Sequence, residues 1–191
     1  MPTETPTPRR QALAEAGAPP PPAGLSPEKR RQIKQAAEAQ IDEFMRKVGY
    51  SNSAERTDEQ GWRYLQLGSA EGRAGIVESE GELYLIAESP IMPLPSDKDL
   101  ILPLMRELLE LNMQIAGSVR LGIKGDAVFI AVARPVIELR GGDFAQCIHT
   151  VMSMADTLDN PLIEKYGGTT KRRVTPKKVA TSTEKTRKKG S

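Results

Sequence analysis

The stretch 101–115 carries more apolar side chains than one helix face can hold, and that surplus limits what the chain can fold into. Ile101, Leu104, Leu108, Leu111 and Ile115 recur at three- and four-residue intervals and form one stripe. Leu102, Met105, Leu109 and Met113 form a second, rotated from the first by about 100°. A helix apolar over more than one face needs two packing partners. One is the sheet that the flanking segments predict; the other is a neighbouring helix or a second subunit. Ser96, Asp97 and Asp99 are candidate caps for this helix, and Pro103 either kinks it or marks its first turn.

A helix and three strands precede that segment. Ser26 suits an N-cap, Pro27 the first helical position and Glu28 the positive end of the helix dipole. Ile33, Ala37, Ile41, Phe44, Met45 and Val48 then form an apolar stripe that Gly49 closes. From residue 62 the pattern changes to strands over 62–67, 73–79 and 82–88, with a loop at 68–72 and a tight Glu80-Gly81 turn. Pro90, Pro93 and Pro95 are expected to end the pairing, because each removes a backbone donor.

A second hairpin, 118–123 and 127–139, turns at Gly125-Asp126. Val128, Ile130 and Val132 lie on one face of its second strand, Phe129 and Ala131 on the other, which predicts a central strand covered on both sides. A last helix starts at Asp143, carries the stripe Phe144, Cys147, Ile148, Val151, Met154, Ala155 and Leu158, and is expected to end at Asn160-Pro161. The fold class is therefore α+β: helix, three strands, helix, two strands, helix, with the helices packed on a mainly antiparallel sheet.

The ends differ from this body. Residues 1–25 are rich in proline and read as a solvated, disordered extension; the folded domain is expected over 26–168, and 169–191 as a disordered basic tail. Lys171, Arg172, Arg173, Lys177, Lys178, Lys185, Arg187, Lys188 and Lys189 stand there against the single acid Glu184. This gives the tail about +8, and with +2 overall the remainder is near −6. No apolar run approaches the roughly 20 residues of a membrane-spanning helix. Prolines occupy the place where a signal peptide would need its apolar segment, so the expectation is a cytoplasmic protein.

The segment Leu108-Leu109-Glu110-Leu111-Asn112, the small-residue step Ala116-Gly117-Ser118 into a strand, the Gly125-Asp126 hairpin and the final stretch 144–156 resemble the YbjN family and the wider group of bacterial proteins with the type III secretion chaperone-like fold. That resemblance extends over about 140 residues, near the size expected of one domain. It implies a homodimer that binds other proteins in a chaperone-like or regulatory role, and it supplies no catalytic residues to carry over.

The side-chain inventory favours binding over catalysis. His149 is the only histidine, and a base there requires a nucleophile or a carboxylate brought from elsewhere in the fold. Cys147, the only cysteine, falls on an apolar stripe and reads as a small core residue. Asp97 and Asp99 lack calcium-loop spacing, and capping accounts for both, so no metal site is expected. Gly141-Gly142-Asp143 could bring backbone amides to a phosphate, but the aspartate opposes an anion and no cofactor fingerprint is present. These readings predict a non-enzymatic protein-binding homodimer without cofactor, its partner or dimer surface formed by Leu102, Met105, Leu109 and Met113. The alternative is a nucleic-acid-associated protein whose tail binds phosphates by counterion release, with weak selectivity because no aromatic residue is interleaved there.

Overall fold

Local signals place the first helix where the sequence predicts it. In the computed structural model, which describes residues 25–115 and 117–167, α1 spans Pro27–Lys47, and the Ser26 hydroxyl accepts from the Lys29 amide at 3.3 Å. Ala37, Ile41, Phe44 and Met45 bury one face of it. The buried Arg63 guanidinium ties this helix to the first strand through both carboxylate oxygens of Asp42, at 3.0 and 3.2 Å.

Three antiparallel strands follow: β1 (Arg63–Leu67), β2 (Ala70–Ser79) and β3 (Glu82–Pro93). Glu80 and Gly81 both take positive φ, 51° and 81°, as the tight turn between β2 and β3 requires. The loop expected at 68–72 is instead a turn at 68–69, with β2 beginning at Ala70. Gly72 serves close packing and not a turn, since a Cβ there would lie 2.6 Å from the Met152 sulfur. Gly68 holds the turn itself at φ 58°, directly against Asp156, which accepts from the Ser69 amide at 2.6 Å.

The prolines do not end β3 either. The strand continues through Pro90 to Pro93 and pairs with β5 (Ala127–Pro135), with a bulge between Pro90 and Met92. Its ladder to β2 stops at Glu88, so from there β3 is an edge on that side, where a missing donor costs no ladder bond.

A 3₁₀ turn, Lys98–Leu100, leads into α2 (Ile101–Gln114). Asp97 caps that short turn through the Asp99 amide at 2.9 Å, and Pro103 sits in the first turn of α2, where it interrupts nothing. β4 (Val119–Lys124) then pairs with β5, giving one sheet of order β1-β2-β3-β5-β4. A second 3₁₀ turn, Val136–Glu138, connects β5 to α3 (Gly141–Tyr166).

Asn160-Pro161 does not terminate α3, which runs through Pro161 to Tyr166. Interior proline costs roughly 3 kcal/mol, and burying Leu162 and Tyr166 beyond it returns about that much. All three helices contribute to one core on the same sheet face: Ile41 of α1, Leu104 and Leu108 of α2, and Phe144, Ile148 and Val151 of α3 pack with Ala74, Leu85, Ile130 and Leu121. Among the described residues, the cover expected on both sides of β5 is complete on one side only. Phe129 and Ala131 on its second face are half-buried and Ala133 is exposed, while the Lys124 ammonium lies 5.6 Å from the Phe129 ring centre.

Candidate protein-interaction surface

Helix α2 is fixed on the core at both ends before its outer face becomes relevant. Near its C-terminus, Asn112 Oδ1 accepts from the Leu121 amide at 2.8 Å and Asn112 Nδ2 donates to the Leu121 carbonyl at 3.0 Å. The side chain thus fills the outward hydrogen-bonding groups of β4 as a neighbouring strand would. In its first turn the Pro103 carbonyl accepts from the Tyr166 hydroxyl of α3 at 3.4 Å, and midway along the helix Glu107 accepts from Lys165 Nζ and from the same Tyr166 hydroxyl. The Lys165 bond, with the Tyr166 bond second, holds the Glu107 carboxyl below its ordinary range.

With Leu104 and Leu108 turned into the core, the second stripe points outward. Leu102 is 75% exposed, Met105 43%, Leu109 67% and Met113 88%. The sequence-predicted surface residues therefore share one outer face of a single helix, and Ile101, Leu111 and Ile115 flank the buried row as half-buried residues. The Arg106–Glu110 pair at 2.8 Å runs beside the stripe, giving an apolar strip with a charged margin.

The sheet offers less at its edges than on its second face. At the β1 edge the Tyr50 hydroxyl accepts from the Gln66 amide at 2.8 Å and donates to the Gln66 carbonyl at 3.2 Å, matching what Asn112 does on β4. The second face carries Arg73, Glu88 and Lys124. Buried Glu88 accepts from Arg73 at 2.6 Å and from Lys124 at 2.9 Å, and Trp62 stacks on the Arg73 guanidinium at 4.2 Å. Burial is the largest influence and opposes the Arg73 charge, but its hydrogen bonds with Glu88 and Tyr64 and the attraction of the Glu88 carboxylate together outweigh burial and raise the pKa of the guanidinium.

The other sequence candidates fall into structural places. His149 is exposed on α3 with the Ser153 hydroxyl 3.4 Å from Nδ1. Cys147 is half-buried, and burial pushes its thiol up, away from the reactive thiolate. The Asp143 carboxylate accepts from the Arg140 amide at 2.8 Å, so the N-terminus of α3 already holds a carboxylate. Among the described residues no group of three or more His, Cys, Asp or Glu side chains converges to hold a metal ion. No helix among them is long and apolar enough to cross a membrane. The nine basic residues from Lys171 to Lys189 lie outside the described residues. Sequence reasoning did not single out Ile123 and Ile137, 42% and 78% exposed, nor the strand-like role of Asn112.

No protein-family model matches the chain, and no curated protein does. Among solved structures, the ExsC–ExsE complex is similar at a TM-score of 0.50 and 15% identity over 66% of this chain and 95% of that one. The Yersinia pestis type III secretion chaperone SycH, solved with a stable fragment of YscM2, follows at 0.46 and 16% identity over 64% and 98%. YbjN from E. coli matches at 0.39 and 11% identity over 67% and 92%. The agreement with the ExsC–ExsE structure, together with the strand order and helix placement, gives the chain the YbjN/type III secretion chaperone-like fold that the sequence resemblance implied. At such identities the likeness is one of fold.

Proposed function

We propose that this chain is a non-enzymatic, protein-binding module with a chaperone-like or regulatory role, and that it acts as a homodimer. The observation that carries the reading is the outward apolar stripe of α2: four large side chains held in water by a helix that is clamped to β4 and α3. Leaving such a strip exposed is unfavourable, and a second copy covers it by presenting the same strip, as a twofold interface requires. The likeness to a structure solved as a two-protein complex supports a binding role for the rest of the surface.

Sedimentation equilibrium of the full chain tests the dimer. The expected mass is twice 20.9 kDa at micromolar concentration. A monomer at high concentration, with the stripe covered inside its own structure, overturns it.

A second reading has its own observation, the charge separation between a tail near +8 and a body near −6. In that reading the tail binds nucleic-acid phosphates, and affinity falls steeply with salt. Isolation of the complex from the native cell at low and moderate salt separates the two: a discrete protein retained at both supports the first reading, and nucleic acid lost with salt supports the second.

A further inference from the structure

The thioethers of the described residues fall into two sets. Met45, Met92 and Met152 are buried, and Met154 is half-buried against the same core. Met105 and Met113 are exposed, and both stand on the outer stripe of α2. Among the described residues, methionine sulfur is therefore open to solvent on that one surface.

Met105, Leu109 and Met113 follow one another at four-residue steps, each about 6 Å of rise and 40° of turn, so the two thioethers bracket the central leucine of the stripe. An antiparallel twofold pairing about Leu109 sets Met105 of one copy opposite Met113 of the other. A thioether is flexible and polarizable and packs adaptably in such a strip, and the same sulfur is open to two-electron oxidation. Oxidation turns it into a polar acceptor that needs a donor. The side chains it meets on the stripe, Leu102, Leu109 and the other methionine, carry none.

We infer that Met105 and Met113 form a paired oxidation site for hydrogen peroxide, and that their sulfoxides release the dimer. A sulfur lone pair attacks one peroxide oxygen, so that the S–O bond forms as the O–O bond breaks. The hydroxide that leaves takes the proton from the transferred oxygen and departs as water; sulfur is oxidised by two electrons and the peroxide reduced by two. Release of the dimer rests on the twofold reading above, whereas the selectivity of oxidation needs only the two exposures. Mass action links them: the dimer covers both sulfur atoms, so oxidation runs through the free monomer and slows as protein concentration rises. A methionine sulfoxide reductase restores the thioether, which makes the change reversible.

Full-length protein treated with hydrogen peroxide tests both parts, by peptide mass for the modified residues and by sedimentation velocity for the dissociation constant. Met105 and Met113 are expected to gain one oxygen each well before Met45, Met92 and Met152. The dissociation constant then rises at least about tenfold, and the reductase reverses the change. Met105→Leu with Met113→Leu keeps the wild-type constant and is insensitive to peroxide, since leucine and methionine are close in volume and both suit a helix. Met105→Gln with Met113→Gln imitates the polarity of the sulfoxide and weakens the dimer with no oxidant present. Every substituted position is exposed, so the core is unaltered, and circular dichroism checks the fold. Equal rates of oxidation at the buried and the exposed methionines overturn the site. A folded protein oxidised at both positions that dimerises as tightly as before overturns the release. A wild type that is monomeric before any oxidant overturns the dimer reading and the release with it, while the order of oxidation still decides the site.

Discussion

Replacing Leu109 with aspartate removes one of the two central side chains of the α2 stripe without touching the core. Leu109 is 67% exposed while its helical neighbour Leu108 is buried, so the change leaves the internal packing of α2 as it is. Fully burying a leucine is worth roughly 1.5–3 kcal/mol, and two-thirds of that is about 1–2 kcal/mol per copy. A twofold interface loses the contribution twice, about 2–4 kcal/mol, and at 1.4 kcal/mol per tenfold the dissociation constant rises roughly 30- to 700-fold. Two carboxylates brought close to the symmetry axis add desolvation and repulsion, so the lower figure is a floor. Sedimentation velocity over a concentration series reads the constant, and circular dichroism checks that the melting transition is retained. A variant that is fully folded and dimerises as tightly as the wild type refutes the assignment of the stripe to the dimer interface.

Four further outcomes are expected. Asn112→Ala leaves the Leu121 amide and carbonyl without their side-chain partner and lowers unfolding stability by about 1–3 kcal/mol, read by denaturant titration; a change within error counts against the clamp. The Glu107 carboxyl is held below its ordinary value near 4.5, so its contribution to stability is present above that value and is lost as pH falls through the lower folded pKa. Glu107→Gln accordingly shows a smaller drop in melting temperature on acidification than the wild type, and an unchanged drop contradicts the pairing. His149→Ala and Cys147→Ser keep dimerisation and partner capture at wild-type levels; loss of turnover of a defined substrate in a stable His149→Ala protein revives the enzyme reading. Removing 169–191 preserves the cooperative melt and weakens binding to a DNA duplex in a salt-dependent way, and loss of the melt on truncation assigns the tail to the fold.

What could be read beforehand divides by the range of the interaction. The two stripes of α2 follow from a 3.6-residue period, and the structure places Leu104 and Leu108 inside with Leu102, Leu109 and Met113 outside. Ser26 and the Glu80-Gly81 turn are equally local, since each is decided by groups within a few residues. The errors arose where distant partners override a local preference. Pro161 breaks helices in isolation, yet here Leu162 and Tyr166 beyond it reach the core and α2. Pro90 and Pro93 disfavour pairing, but β3 has already lost its neighbour on the β2 side. Gly72 looks like a turn residue until Met152, eighty residues away in the chain, is packed against it. The Asn112 clamp was illegible for the same reason, because it is created by elements that meet only in the folded chain.

Cross-linking from within the stripe tests the protein-binding dimer most directly. A photoreactive amino acid placed at Met113, the most exposed of the four positions, is activated in a mixture of isotopically light and heavy full-length protein. Light–heavy cross-linked peptides are expected to map to α2 of the second copy, near Leu102, Met105 and Leu109. Cross-links confined to a single chain, or light–heavy links that fall elsewhere on the partner, contradict it.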